Sequence, residues 1–291
     1  MLIDCQQNFI ILDTVRIHVS GLLIFTIMLP VLLDLGFFKL YTFGIFLVLA
    51  FFWGTFFLWK NITLTSYKED EIFDAVFFSL LGGILVGRIE FVALHFSEFG
   101  YDILKFLLIN GYPGVGLLGF LAGFFLFFLI FTSWRKINFM RAVDYFIAPF
   151  FLAMAIAKLG AFFAGSEIGT QTKFLLSLSY QNFDGTRHLT ALYETIAYFA
   201  ASFFAYKIVR SIRRGKLYEG FTFVFFIWYV GLITVVFDNL KAFRVMVRNM
   251  SFDLVVGSLL LLTVSLYFLY YFRQSIWGSV KRIFSSKKKK K

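Results

Sequence analysis

Residues 142–164 read AVDYFIAPFFLAMAIAKLGAFFA, with one aspartate near the front, one lysine near the back and no other charge. At about 1.5 Å per residue such a run makes a helix of ~35 Å, enough for the ~30 Å hydrocarbon layer of a bilayer. A soluble helix of that length carries a polar face. This one carries none, so its solvent is lipid. The same template picks out Leu40 to Trp59, Ile72 to His95, Val115 to Trp134, Leu189 to Val209, Phe221 to Phe237 and Phe252 to Phe272. The expected fold is therefore all-α, a polytopic integral membrane protein of about seven transmembrane helices. A shorter apolar run, Gly21 to Leu33, is interrupted by Pro30 and is expected to lie in the interface or re-enter rather than cross. Pro149 falls inside the quoted span, where a neighbouring helix must satisfy the carbonyl it frees. The chain divides into an N-terminal arm at 1–39, a membrane domain at 40–272 and a basic tail at 273–291.

Composition agrees. With 60% hydrophobic residues and only 15% charged, there is too little polar side chain to clothe a soluble surface. One cysteine, Cys5, leaves no intrachain disulfide and no cysteine-cluster metal site. The start, MLIDCQQNF, lacks the basic, apolar and small-residue regions of a cleaved signal, so targeting is expected to come from the spans.

Loop charge orients the chain. Arg135, Lys136 and Arg141, then Lys207, Arg210, Arg213, Arg214 and Lys216, then the tail with Arg273, Lys281, Arg282 and Lys287 to Lys291, alternate with seven spans so that all fall on one side. Lysine and arginine accumulate on the cytoplasmic face, which puts the C-terminus inside and the N-terminus outside. The net charge of +11 is then a topology and anionic-lipid signal, since the basic groups flank spans rather than form a nucleic-acid footprint. Outside lie 97–114, 165–188 and 238–251. The last carries Lys241, Arg244 and Arg248 against Asp238, and cations on that side want an anionic partner such as a phospholipid phosphate.

Ionisable groups inside spans mark function by default. Arg88 and Glu90 follow Gly83 and Gly87, whose spacing admits a close neighbouring helix. Arg88 is expected either to pair with a carboxylate or to receive a phosphate. Lys158 sits near the outer end of its span, where it can also snorkel to the interface. Asp144 is expected to cap its own helix. The segment Gly165–Thr172 (GSEIGTQT) offers backbone amides and Glu167 at the outer mouth. Arg187 and Glu194, seven apart, would lie on one helical stripe, with His188 at the interface. Zinc, phosphate-loop and dinucleotide motifs are missing from the sequence, so no metal or cofactor is expected.

In order and spacing these pieces resemble the prolipoprotein diacylglyceryl transferase family. LYTFG at 40–44 looks like its aromatic-Tyr-Gly start, LGGILVGRIEFV at 81–92 like its Gly-Gly-Arg segment, and GLLG at 116–119 like the opening of its third span. VDYFIAP at 143–149 is similar to its Asp-x-Ile-Ala-Pro, KLGAFFAGSEIG at 158–169 to its Arg-x-Gly-x-Phe-x-x-Gly-x-x-x-Gly, and RHLTALYE at 187–194 to its Arg-His-Pro-x-Gln-Leu-Tyr-Glu. The resemblance runs from about residue 35 to 272. It departs at Lys158, where the family has arginine, at Ala161, and in the sixth span. There Tyr229, Ile233 and Asp238 stand against Tyr-x-x-x-Arg-x-x-x-Glu, so the arginine is missing and the acid shifted by one.

The resemblance implies transfer of a diacylglyceryl group from phosphatidylglycerol to the lipobox cysteine of lipoprotein precursors in the bacterial cytoplasmic membrane. The implied partners are that lipid and the precursors' signal peptides. It also implies substrate contacts at Arg88, Lys158, Gly160, Gly169, Arg187 and Tyr193, with Glu167, His188, Glu194, Tyr229 and Asp238 around the chemistry. The departures leave open a member that binds lipid or signal peptide without catalysis. Buried charge alone would also suit a small-solute transporter, although no internal repeat is visible.

Overall fold

The structure is a computed structural model describing residues 15–288 apart from 20–21, 27–29, 36–38, 66, 109–110, 181–182 and 248. Cys5 and Arg248 thus lie outside the described residues. Two hairpins lead in: β1 (Val15–Val19) with β2 (Leu22–Thr26), and β3 (Val31–Asp34) with β4 (Lys39–Tyr41). Then come α1 (Thr42–Ile62), α2 (Glu69–Leu94), the short α3 (Phe96–Phe99) and α4 (Ile103–Leu107), α5 (Leu117–Trp134) and α6 (Phe139–Ala164). A hairpin of β5 (Ser177–Ser179) and β6 (Thr186–His188) precedes α7 (Thr190–Arg213) and α8 (Phe221–Asp238). The last small hairpin, β7 (Met246–Val247) and β8 (Met250–Ser251), leads into α9 (Phe252–Lys288).

All seven expected spans are helices. Six of them, α1, α2, α5, α6, α8 and α9, are long and apolar enough to cross a bilayer. The exception is α7, whose inward stripe holds Glu194, Thr195, Tyr198 and Ser202, all buried. Lowered hydropathy there is the cost of placing polar groups inside the bundle. Within segment 21–33, expected to lie in the interface or re-enter, the described residues 22–26 belong to β2 and 31–33 to β3. Pro30 cannot donate a backbone hydrogen bond inside a helix, which suits the extended backbone on its C-terminal side.

Neighbouring helices pair tightly. A Cβ on Gly87 would meet the Gly116 carbonyl at 2.8 Å, so glycine lets α5 lie against α2, as the Gly83/Gly87 spacing predicts. Between them and α6 and α8 runs an aromatic core of Phe124, Phe125, Phe128, Phe146, Phe150 and Phe226. Pro149 has no amide hydrogen for the Tyr145 carbonyl one turn earlier, and Asn61 of α1 donates its side-chain amide to that oxygen at 3.4 Å. Outward faces stay apolar, with Val48, Phe52, Leu259 and Leu262 exposed to lipid.

Helix ends sort by charge. At one end Arg141 meets Glu219 at 3.0 Å and Arg213 stacks on Tyr145. Asp144 caps α8 rather than its own helix: its two oxygens accept from Gly220 N at 2.6 Å and Thr222 N at 3.0 Å. The α6 cap is Asn138, which accepts from Arg141 N at 3.2 Å. Asp144 is already inside α6, its side chain free to reach the unpaired amides that start α8. At the other end lie 95–116, 165–189 and 239–251.

Candidate functional site

A Gly-bounded loop between α6 and β5 is strapped across the ends of three helices. Thr170 N donates to Leu240 O at 2.8 Å, Ala242 N to Ile168 O at 2.9 Å, and His188 N to Thr170 O at 3.0 Å. The loop thus runs as a middle strand between β6 and the segment after α8. Gly169 is required by closeness, since a Cβ there would meet the His188 carbonyl at 2.3 Å. Gly165, with φ of 65°, turns the chain out of α6 in the left-handed conformation glycine favours.

These straps bring four charges together from distant sequence. Lys158 Nζ of α6 lies 2.6 Å from Glu167 Oε1 and 2.5 Å from Glu194 Oε2, and Lys241 Nζ reaches Glu194 Oε1 at 3.5 Å. The Glu194 side chain is only 3% exposed and that of Lys158 13%, so both are effectively out of water. Two cations face two carboxylates here, and Asp253 lies within the field of Lys241, Lys158 and Glu194. Tyr198, one helical turn after Glu194 and fully buried, forms the floor. Tyr180 is buried above the loop. Burial pushes its phenol up to about 12, Glu167 adding to the rise and Arg187 opposing it. At neutral pH it therefore stays a hydrogen donor.

Not every polar atom here is satisfied. Glu167 Oε2, Arg187 Nε and His188 Nδ1 are buried with no hydrogen-bond partner. Unmet buried polar groups are costly, and three of them fall within one strapped loop and its neighbouring strand. Asp238 differs: Ser251 donates to Oδ1 at 2.8 Å, while Oδ2 faces Arg244 at 3.8 Å, near enough for charge but too far for a hydrogen bond.

Of the residues expected at the site, Lys158, Glu167 and Glu194 meet directly, and Gly169, Arg187 and His188 adjoin them. Arg187 and Glu194 share no helical stripe, because α7 begins only at Thr190 and Arg187 sits in β6. The Arg187 guanidinium instead donates to Gly169 O at 3.2 Å and stacks on Phe183. Tyr193 donates its hydroxyl to Leu176 O and Tyr229 donates to Ala197 O at 2.8 Å, so both phenols are engaged. Gly160 serves helix contact, facing Phe46 of α1.

Arg88 stands apart. It is 2% exposed and gives hydrogen bonds to four backbone carbonyls: Lys105 (2.7 Å), Phe106 (2.9 Å), Tyr112 (2.7 Å) and Gly114 (2.9 Å). Among the described residues no carboxylate pairs with it, and its N–H groups go to carbonyls of the irregular segment between α3 and α5. Glu90 accepts from Gly119 N at 2.6 Å instead of pairing with Arg88. Tyr198 and Tyr180 went unread in the sequence. The only signal for Tyr198 was its place four residues after a buried glutamate.

A family model for prolipoprotein diacylglyceryl transferase matches residues 30–271. The chain belongs to that family. Among curated relatives, it is 27% identical over 186 residues to a phosphatidylglycerol–prolipoprotein diacylglyceryl transferase of Clostridioides difficile, covering 64% of this chain and 72% of the relative. A Clostridium tetani protein of the same name is 26% identical over 184 residues, covering 61% and 72%. One from Ehrlichia ruminantium is 23% identical over 237 residues, covering 79% and 90%.

Proposed function

We propose that this chain moves a diacylglyceryl group from phosphatidylglycerol to the lipobox cysteine of a lipoprotein precursor, at the strapped ends of α6, α7 and α8. The observation that carries the placement is the neutral Lys158–Glu167–Glu194–Lys241 cluster bordered by unpartnered Glu167 Oε2, Arg187 Nε and His188 Nδ1. On the loop-charge rule this end faces away from the cytoplasm of a bacterial inner membrane, with the basic ends inside. All seven long helices cross, α7 carrying its polar stripe inward.

The chemistry makes a C–S bond and breaks a C–O bond. The precursor's thiolate attacks the glyceryl carbon that bears the phosphate ester. Glycerol phosphate leaves with the C–O electron pair, and the thiol proton passes to a base. Negative charge grows on the leaving phosphate, so cations aimed at it lower the barrier. Lys158 and Arg187 fill that role, Arg187 with its free Nε. Ile233, standing where the family carries an arginine, is buried in the apolar core. Lys241, delivered by the loop after α8, supplies the second cation over Glu194.

The base is His188 or Glu167, each of which keeps an atom without a hydrogen-bond partner; Asp238 Oδ2 also lacks one but faces the Arg244 charge. Glu194 holds the two lysines in place. Asp238 and Tyr229, already bonded, fix the ends of α7, α8 and α9. Arg88 and the rest of the glycine face hold the 95–116 loop.

Purified chain is given phosphatidylglycerol labelled in an acyl chain together with a lipobox peptide. Labelled peptide is expected, and Arg187→Ala and His188→Ala should each lower its yield. Lipid retained without labelled peptide would overturn transfer.

A further inference from the structure

The opposite end of the bundle holds a cavity of about 410 Å³ between α6, α7 and the turn that follows α7. Its wall includes Arg141, Asp144, Tyr145, Arg213, Tyr218 and Glu219. Most of these already have duties. Both Asp144 oxygens take backbone amides, Arg141 pairs with Glu219, and the Tyr218 and Tyr267 hydroxyls share a hydrogen bond at 2.6 Å.

Arg213 is different. Its guanidinium lies on the Tyr145 ring, 4.8 Å from the centroid, and one terminal nitrogen reaches Asn61 O at 3.3 Å. Arg213 is exposed at the cavity mouth, and among the described residues it has no carboxylate partner and its Nε and Nη1 no protein acceptor. A stacked guanidinium with an open N–H edge is preorganised for two oxygens of a phosphate, and stacking removes much of the freedom that binding would otherwise have to freeze. Arg210, Arg214 and Lys216, close in sequence, raise the local positive potential.

Depth favours a lipid. Trp59 and Trp134 end α1 and α5 at this same end, and tryptophans gather at the headgroup level of a bilayer. The cavity is of small-molecule size and opens where the helices leave the hydrocarbon.

We propose that Arg213 binds a phosphate ester in this cavity, supplied by a phospholipid headgroup of the adjoining leaflet or by a soluble phosphate. The occupant would tie together the ends of α6 and α7. Those two helices carry Lys158 and Glu194 at their other ends. This assignment is independent of the transfer chemistry.

The test uses the full chain in detergent, carrying Lys158→Met so that lipid at the other end is weakened, and counts bound lipid by native mass spectrometry. The probes are phosphatidic acid, diacylglycerol with the same acyl chains, and inorganic phosphate. Phosphatidic acid should be retained and diacylglycerol not, and Arg213→Gln should lower retention roughly tenfold. Arg213→Lys, which keeps the charge but loses the fork, should fall between. Displacement by millimolar inorganic phosphate would assign the site to soluble phosphates, and persistence would assign it to the lipid. Equal retention by Arg213→Gln, Arg213→Lys and the parent, or equal retention of diacylglycerol, overturns the proposal.

Discussion

Arg88 and Lys158 are both cations buried in a membrane domain, yet their surroundings differ in kind. Arg88 gives its hydrogen bonds to four backbone carbonyls and so fastens a loop. Lys158 meets two carboxylate side chains, and atoms beside it are left unpaired. A cation satisfied by backbone is committed to the fold, because moving it exposes carbonyls that have no other donor. One balanced by side chains can exchange a partner for a ligand when rotamers move. Under the proposed function, the identity of the partner is what distinguishes the two cations.

The largest expected effect tests the first half of that contrast. Arg88→Ala leaves four partly buried carbonyls without their shared donor, so stability should fall by roughly 3–4 kcal/mol. Arg88→Lys should not restore it, since a single ammonium cannot reproduce the fork. Thermal unfolding of detergent-purified protein reads this, and an Arg88→Ala chain melting within a few degrees of the parent breaks the comparison.

Lys158→Met should cut transfer by about 100-fold or more while costing less stability, about 2–3 kcal/mol, because Lys241 still faces Glu194. Lys158→Arg should keep most of the activity. Full transfer by Lys158→Met would remove this cluster from the chemistry. Asp144 sharpens the contrast from the acidic side: it is bound by backbone amides, like Arg88 by carbonyls. Asp144→Ala should lower stability by about 1–2 kcal/mol and leave the KM for lipid unchanged. A raised KM would mean that this carboxylate acts on substrate. Smallest of all, Glu219→Gln breaks an ion pair whose side chains are 59% and 44% exposed, and stability should change by less than about 0.5 kcal/mol.

The helices were readable because lipid imposes a one-dimensional rule of about 20 apolar residues per crossing. Lys158, Glu167 and Glu194 were readable as anomalies within or beside such runs. Which of them touch was not, because contact depends on the loop straps that carry 168–172 between β6 and 240–242. Spacing alone puts Arg187 on the helix, whereas the backbone stays extended through β6 and turns helical only at Thr190. Asp144 was given the wrong helix to cap for a related reason: capping is local in chemistry but not in sequence.

By itself, then, the sequence determined that the chain lives in lipid, where its helices run, and which side chains are too costly there to be accidental. Those follow from burial free energies summed residue by residue. Only the tertiary structure decided that Arg88 fastens a loop, that Lys241 reaches Glu194, and that Glu167, Arg187 and His188 keep atoms in reserve. Each of those depends on partners far apart in sequence, whose meeting is fixed by helix packing and backbone hydrogen bonds that no local pattern encodes.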